Sequence, residues 1–125
     1  VSHSVLVLYV TGAKTGKKYF IPVSFFEHSK GLLTCVTDKP NIWWRNLTGF
    51  DEIRILFKGK EIQSKINAEP DDLDYIYPKL HALFEHSRID GFFGGVGYKN
   101  GKPIEKDVIE ATKRMVLIEL DFTES

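Results

Sequence analysis

Residues 39–47 read KPNIWWRNL, and this stretch contains both tryptophans of the chain, between two strand-like runs. Pro40 cannot donate a hydrogen bond to a sheet ladder, so it is expected to end the preceding strand. Asn41 is a favoured N-cap residue, and one or two helical turns are therefore predicted to follow it. The rest of the chain is organised around this short helix.

The two adjacent tryptophans are predicted to have different roles. At α-helical spacing Trp43 and Leu47 share the inward face, whereas Trp44 and Arg45 point elsewhere. Two neighbouring indoles on so short a helix cannot both face the core, so one of them is expected to line a groove or an interface. The alternative, that both tryptophans are packing anchors, stays open.

Composition and charge limit the class of protein. The 125 residues suffice for one domain over residues 1–125, with 42% apolar and 27% charged residues. The formal net charge of zero argues against a nucleic-acid partner or an anionic membrane partner. The lone Cys35 suits a reducing, cytoplasmic location, and no apolar run approaches the roughly 18 residues that span a bilayer. Since the chain starts at Val1 in a strand-like run, we expect that an upstream segment is missing.

Six strand-like runs predict an antiparallel sheet. The first run is apolar on both faces, and Pro22 inside the second indicates an edge, a bulge or a strand whose N–H faces a ligand. Short turns join the first five runs as a meander that is expected to close into a small barrel, and the last run completes the sheet. The runs cover residues 4–11, 19–27, 31–37, 52–58, 61–69 and 115–122.

Two helices and a glycine-rich stretch complete an α+β domain. Residues 71–86 follow the i, i+3, i+4 rhythm of an amphipathic helix, and residues 104–114 predict a shorter one. Between them, residues 89–103 contain five glycines and the aromatic residues Phe92, Phe93 and Tyr98. We expect these aromatic side chains to cover a pocket.

The turn at residues 11–18, TGAKTGKK, carries the most suggestive charge pattern, and we call it the lysine turn. It is not a Walker loop, because three residues rather than four separate its glycines and a strand follows it. Its lysines can still bind a phosphate or a carboxylate, with help from backbone N–H groups. A solvated hairpin tip is the alternative.

Side-chain catalysis and metal binding find no support in the sequence. His81 and His86 lie about 140° apart on a helix and cannot chelate together, and no Cys-x-x-Cys occurs, so no metal site is predicted. Cys35 reads as a small buried hydrophobe, and no serine lies in a Gly-x-Ser-x-Gly elbow. If the protein is an enzyme, a cofactor is expected to carry out the difficult step.

Three segments together resemble one known family. VLVLYVTGAKTGKK (residues 5–18), IPVSF (21–25) and WWRNL (43–47) resemble the deazaflavin-dependent nitroreductase and quinone reductase family. These proteins have a flavin-binding split β-barrel related to pyridoxamine-phosphate oxidases. The resemblance covers about residues 5–69. It implies a six-stranded antiparallel split β-barrel with flanking helices, assembled as a homodimer with cofactor sites at the dimer interface.

The resemblance also implies the cofactor-binding residues. It places the lysine turn near the phosphate or acidic tail of the cofactor, and the strand around Pro22, together with the segment 37–44, beside the ring system. Ala13 stands where the family usually has a basic residue, and the loop over residues 36–41 is short. Both departures disfavour a long, acidic deazaflavin, so the deazaflavin coenzyme F-420, FMN, another ligand or no ligand all stay open. The candidate residues are Lys14, Thr15, Lys17, Lys18, Pro22, Val23, Ser24, Thr37, Lys39, Asn41, Trp43 and Trp44.

The resulting hypothesis is an oxidoreductase that transfers a hydride from a reduced flavin or deazaflavin to a small electron-poor acceptor, a quinone or a nitro compound. No catalytic residue is assigned; Tyr98 in the glycine-rich stretch is a candidate proton donor, beside solvent. The alternative is a non-catalytic split-barrel dimer that binds or sequesters a flavin or another planar ligand. A nucleic-acid-binding module is disfavoured by the zero net charge.

Overall fold

The computed structural model describes residues 5–87, 91 and 94–123. A 3₁₀ helix spans Ile42–Leu47, and the α-helices are α1 (Leu73–His86) and α2 (Glu105–Arg114). Strands β7 and β8 form a small separate hairpin, and the other seven strands form one sheet. The strands are β1 (Val5–Thr11), β2 (Lys18–Ser24), β3 (Phe26–Ser29), β4 (Leu32–Asp38), β5 (Glu52–Phe57), β6 (Lys60–Glu69), β7 (Tyr98–Lys99), β8 (Lys102–Pro103) and β9 (Met115–Asp121).

The main sheet is antiparallel throughout and curls onto itself. Its strand order is β2-β1-β5-β6-β9-β4-β3, so β2 and β3 are its two edges. These edges follow one another in the chain with Phe25 alone between them, and the sheet must therefore bend until its edges meet at this residue. Pro22 lies in edge strand β2, in agreement with one of the positions predicted for it.

The sheet has seven strands where the sequence predicted six. The predicted run over residues 19–27 is broken at the buried Phe25 into β2 and β3, which belong to opposite edges. The α+β class and the antiparallel pairing are confirmed. The strand count is higher because a continuous β-branched and aromatic run gives no signal for the residue at which the chain crosses from one edge to the other.

Two apolar clusters hold the fold together. The inner face of the curled sheet packs around Leu8, Ile55 and Ile118, which are fully buried. The outer face of β9 and β4 packs under the helices, where Phe84 and Leu117 are also fully buried. Because β9 is covered on both faces along residues 115–118, this part reads as a continuous apolar run, and the strand lies in the interior of the sheet.

Both predicted α-helices are present. Asp72 caps α1 by accepting a hydrogen bond from the Tyr75 N–H at 3.2 Å. Tyr98, in the β7–β8 hairpin, is fastened below the end of this helix, where its hydroxyl donates to the Phe84 carbonyl at 2.6 Å. Gly91 lies so close that an added Cβ would be 2.1 Å from the Tyr98 hydroxyl oxygen, and this contact requires a glycine.

Within the described part of the chain, neither helix is long and apolar enough to cross a membrane. The prediction that Phe92 and Phe93 cover a pocket lies outside the described residues.

Candidate functional site

The candidate site is a groove of about 330 Å³ between β2 and the C-terminal half of β4, and we call it the seam groove. Strand β3 pairs with β4 along residues 32–34 alone, so residues 36–38 pair with β9 on one side and with no described strand on the other. Strand β2 likewise pairs with β1 alone. Two strand edges without a paired neighbour among the described strands therefore border the same groove. Their backbone N–H and C=O groups can form hydrogen bonds with a ligand.

The seam groove collects half of the predicted cofactor-binding residues from three separate segments. Strand β2, the end of β4 and the start of the 3₁₀ helix each contribute. Lys39 lies next to the groove, with its ammonium 3.9 Å from Asp71. The predicted residues in the lining are Pro22, Val23, Ser24, Thr37, Asn41 and Trp43.

Four further residues line the groove that were not among the individually predicted binding residues. Ile21 and Val36 are strand neighbours of predicted residues, whereas Met115 comes from β9, at the far end of the chain. Asp38 is the most consequential of the four, because it is the ionisable side chain of the lining. Asp38 lies in the segment 37–44 that the resemblance placed beside the ring system, whereas its ion pair with the distant Arg114 has no signal in the sequence.

The 3₁₀ helix reverses the predicted roles of the tryptophans. Trp44 and Leu47 are the buried residues, with 8% and 2% of their surface exposed, while Trp43 is half-buried and lines the seam groove. A 3₁₀ helix has three residues per turn, so residues three apart share a face, and Trp44 aligns with Leu47. The prediction that Trp43 faces inward at α-helical spacing was wrong, while the expectation that one indole lines a groove agrees with the structure.

Trp44 satisfies its indole N–H inside the fold. The N–H donates to the Lys39 carbonyl oxygen at 2.9 Å, across the turn that leads into the helix. Trp44 was predicted as a site residue but is part of the core. Its burial leaves the neighbouring Trp43 to line the groove.

Asn41 and Thr37 form the polar end of the groove. Asn41 precedes the helix as predicted but makes no side-chain cap; its Nδ2 instead lies 3.5 Å from the Thr37 hydroxyl oxygen. The Asn41 backbone N–H donates to the Asp38 carbonyl at 3.0 Å, which closes the turn. The amide and the hydroxyl therefore offer both donors and acceptors at one end of the groove, which Ser24 and Asp38 also line with polar groups.

Asp38 is held at this polar end by an ion pair with Arg114. Its Oδ1 lies 3.7 Å from Arg114 Nη1, and this buried oxygen makes no hydrogen bond with the described residues. Arg114 is positioned in turn by a hydrogen bond from its Nη2 to the Gly94 carbonyl. About half of the Asp38 side chain remains exposed, so the carboxylate contributes negative charge to the groove.

The lysine turn is fixed to the 3₁₀ helix but lies outside the seam groove. Its ends are closed by a hydrogen bond from the Gly12 N–H to the Lys17 carbonyl at 2.7 Å. The Ala13 N–H donates to Asn46 Oδ1 at 3.0 Å, and Asn46 donates to the Trp43 carbonyl at 3.1 Å. This chain of contacts connects the turn to the groove wall, although the turn itself is a hairpin tip.

The charged residues of the turn are exposed to solvent. Lys14, Thr15, Lys17 and Lys18 are all exposed, and Lys18 lines a different groove, beside Phe20. Lys18 is four residues before Pro22 on β2, a separation of about 13 Å along an extended strand. The turn therefore presents its positive charge one strand length away from the seam groove.

Tyr98 lies away from the seam groove. Its hydroxyl donates to the Phe84 carbonyl and lies 3.3 Å from the Ser87 carbonyl, at the C-terminal end of α1. The side chain packs with the outer, helical cluster. The structure thus places the candidate proton donor apart from the residues that form the groove.

The architecture matches several solved structures. A pyridoxamine 5′-phosphate oxidase-related, FMN-binding protein from Nostoc punctiforme matches 97% of this chain and 71% of its own, at 17% identity and a TM-score of 0.68. A proposed 5-nitroimidazole antibiotic resistance protein from Bacteroides thetaiotaomicron matches 96% of this chain and 73% of its own, at 12% identity and a TM-score of 0.62. An F-420-H2-dependent reductase matches 94% of this chain and 93% of its own, at 14% identity and a TM-score of 0.58.

These matches confirm the predicted resemblance at the level of the fold. No protein-family model matches the chain, and no curated protein sequence matches it significantly. At identities of 12–17% the likeness shows a common architecture, and the chemistry has to be argued from the groove itself.

Proposed function

We propose that this chain is a reductase that binds FMN or a deazaflavin in the seam groove and passes a hydride to a small electron-poor acceptor, a quinone or a nitro compound. The observation that carries the proposal is the convergence of six predicted cofactor-binding residues, from three segments, on one groove. Support also comes from the fold, which is shared with an FMN-binding protein and an F-420-H2-dependent reductase.

The lining of the groove suits a flat heterocycle. Pro22, Val23 and Trp43 offer apolar surface, and Thr37 and Asn41 offer hydrogen-bonding groups at one end. Such a combination of apolar walls and a few polar groups is typical of cofactor sites. The free ladder positions of β2 and β4 add backbone donors and acceptors for the polar edge of a ring.

The distribution of charge orients the ligand. No lysine or arginine belongs to the lining of the groove, and Asp38 is already paired with Arg114, so the groove offers no free positive charge to an anion. A phosphate or an acidic tail would instead be attracted to Lys14, Lys17 and Lys18 on the lysine turn. The ring therefore occupies the groove while the anionic tail runs along β2 to the turn.

The division of labour follows from this arrangement. When bound, the reduced cofactor supplies the hydride, and the acceptor takes up its two electrons. Trp43, Val23 and Met115 exclude water from the ring face, while Asn41 and Thr37 fix its polar edge. Since Tyr98 is hydrogen-bonded elsewhere, the proton that completes reduction of the acceptor comes from solvent.

A non-catalytic role in binding a flavin is the second candidate. The specific observation in its favour is that Asp38 is the one acidic or basic side chain in the described lining of the groove, and it is already paired with Arg114 at 3.7 Å. Turnover of an electron acceptor separates the two candidates.

The test is a tryptophan-fluorescence titration of dialysed protein with FMN and with coenzyme F-420, followed by an acceptor screen. Saturable quenching by either cofactor, and oxidation of the reduced cofactor by a quinone or nitro compound, is the expected result. Quenching without turnover would contradict the reductase proposal and support the non-catalytic binding role. If neither cofactor quenched the fluorescence of the folded protein, both proposals would be refuted. Trp43→Phe keeps Trp44 as an internal reference and should remove the part of the signal that arises at the groove wall.

A further inference from the structure

A second cavity opens at the end of the sheet opposite the lysine turn. Because β1 and β5 are antiparallel, with Tyr9 opposite Arg54 and Val7 opposite Leu56, the lysine turn and the β5–β6 turn lie at opposite ends. The second cavity has a volume of about 730 Å³ and lies beside the β5–β6 turn. We call it the distal cavity, and nothing in the proposed reductase function uses it.

The floor of the distal cavity is apolar and rigid. Phe57, Ile62 and Phe122 line it. Phe57 has 7% of its surface exposed, and its ring packs between two others. The centroid of the Phe57 ring lies 5.2 Å from that of Phe25 and 5.3 Å from that of Phe122. Aromatic side chains fixed by their neighbours in this way offer a preformed surface to another ring or to a branched apolar group.

The rim of the distal cavity is positively charged. Among the described residues, Lys30, Lys58 and Lys60 line it together with one carboxylate, Glu27, and these four side chains sum to a charge of +2. Lys58 is 3.6 Å from Glu27, while Lys30 and Lys60 form no ion pair with the residues that the structure describes. Two exposed ammonium groups therefore remain at the edge of an apolar floor.

The turn that carries Lys58 has an unusual backbone for this residue. Lys58 has φ 49° and Gly59 has φ 80°, the left-handed pair of a tight hairpin turn in which Asn or Asp is favoured at the first position. Its side chain crosses the Phe57 ring, with Nζ 5.1 Å from the ring centroid. A cation thus stands directly above the aromatic floor.

We propose that the distal cavity binds a small organic anion with an aromatic or branched apolar body, such as an aromatic carboxylate. The apolar body lies on the phenylalanine floor, and the anionic group is bound by Lys30 and Lys60. A purely apolar ligand would fit less well, because it would leave the ammonium groups of Lys30 and Lys60 without an anionic partner. The inference is independent of the proposed reductase function.

The test uses anilinonaphthalene sulfonate, a fluorescent aromatic anion, with an aromatic carboxylate as competitor. Wild-type protein should bind the probe saturably, and the carboxylate should displace it. The double variant Lys30→Glu/Lys60→Glu should weaken probe binding about tenfold or more, since reversal of two exposed charges is worth about 1–2 kcal/mol. Both lysines are exposed, so circular dichroism should confirm an unchanged fold.

The control is Lys102→Glu/Lys106→Glu, which makes the same change of net charge at exposed positions outside this cavity. It should change probe affinity less than twofold, roughly the effect of distant screened charges. An equal loss of affinity in the two double variants would overturn the proposal, since binding would then follow net charge alone. Absence of saturable binding to the wild-type protein would overturn it as well.

Discussion

At the scale of single residues, the two tryptophans show how a small change in helix geometry assigns roles to neighbouring side chains. Trp44 is buried and donates its indole N–H to the Lys39 carbonyl, while Trp43 is half-buried and lines the seam groove. The sequence located the helix and required a partner for any buried indole N–H. It could not decide between α-helical and 3₁₀ spacing, and this choice determines which of two adjacent rings points inward.

Substitution of each tryptophan by phenylalanine should separate stability from binding. Trp44→Phe loses a buried hydrogen bond and packing volume, so we expect it to lower the free energy of unfolding by about 2–3 kcal/mol. Trp43→Phe should cost less than about 1 kcal/mol but weaken flavin binding severalfold, because it shrinks the groove wall. Urea denaturation and flavin titration measure the two effects. Equal destabilisation by both variants would contradict this assignment.

At the scale of elements, the lysine turn is a hairpin tip whose charges contribute little to the fold: Lys17 Nζ lies over the Tyr19 ring, 5.6 Å from its centroid, at an exposed position. Hydrogen bonds from Gly12 and Ala13 define the backbone of the turn and tie it to Asn46. Lys14 and Lys17 are exposed and form no ion pair with the described residues. Their charge is therefore available to an anionic tail of a ligand.

The double variant Lys14→Ala/Lys17→Ala should weaken cofactor binding about tenfold, since each exposed charge contributes up to about 1 kcal/mol. The melting temperature should stay nearly constant, and the loss of affinity should shrink at high salt because the attraction is screened. Isothermal titration with FMN or coenzyme F-420 at two ionic strengths, together with thermal denaturation, tests this. A drop of many degrees would show that the turn is structural.

A second group of ionisable side chains lies where α1 packs on the sheet, with members from β3, β9 and α1. Desolvation lowers the pKa of His28 below 6.5, and the nearby charges of Lys79 and His86 act in the same direction while Glu119 opposes them. Glu119 accepts a hydrogen bond from the Tyr75 hydroxyl and raises the pKa of Tyr75 to about 12, and it lies 3.4 Å from the Lys79 ammonium. These contacts fasten α1 to the outer face of the sheet.

The lowered pKa of His28 predicts a loss of stability in mild acid. His28 takes up a proton near pH 6.5 in the unfolded chain and at a lower pH in the folded protein. The folded state therefore favours neutral His28, and this contribution to the free energy of unfolding is fully present above about pH 6.5. This contribution should fall as the pH drops from about 7 to about 5, where few carboxylates titrate. His28→Gln should flatten the pH dependence of the free energy of unfolding in this window. An unchanged slope in the variant would refute the role of His28.

At the scale of the whole molecule, the sequence predicted most elements but not how the sheet closes. Alternation and turn residues located the hairpins, and the apolar rhythm located α1 within two residues of its observed start. The break at Phe25 and the contribution of Met115 to the groove depend on which strands meet in space. Local patterns carry no information on such long-range contacts, so Met115 was missed, while the family resemblance found Pro22, Asn41 and the segment 37–44 that contains Asp38.

At this scale, edge strand β2 also exposes large aromatic side chains to solvent. Phe20 is 65% exposed, packs edge-on against Tyr9 at 5.1 Å, and lines a groove of about 460 Å³ with the half-exposed Phe50. An edge strand with unpaired backbone groups and exposed aromatic rings is prone to associate with another chain. We propose that β2 lies at or near the interface of the expected homodimer, beside the seam groove.

The variant Phe20→Glu should shift the protein from dimer to monomer in sedimentation or light-scattering measurements, because a carboxylate would be buried against the partner without a counter-charge. Ile109→Glu is the matched control: Ile109 is also exposed, at 43%, but lies on α2, and its substitution should leave the mass unchanged. If the cofactor site is shared between subunits, Phe20→Glu should weaken flavin binding in parallel with dissociation, and a higher protein concentration should restore both. A Phe20→Glu protein that remains dimeric would place the interface elsewhere, while a monomer with full affinity would show that each chain carries a complete site.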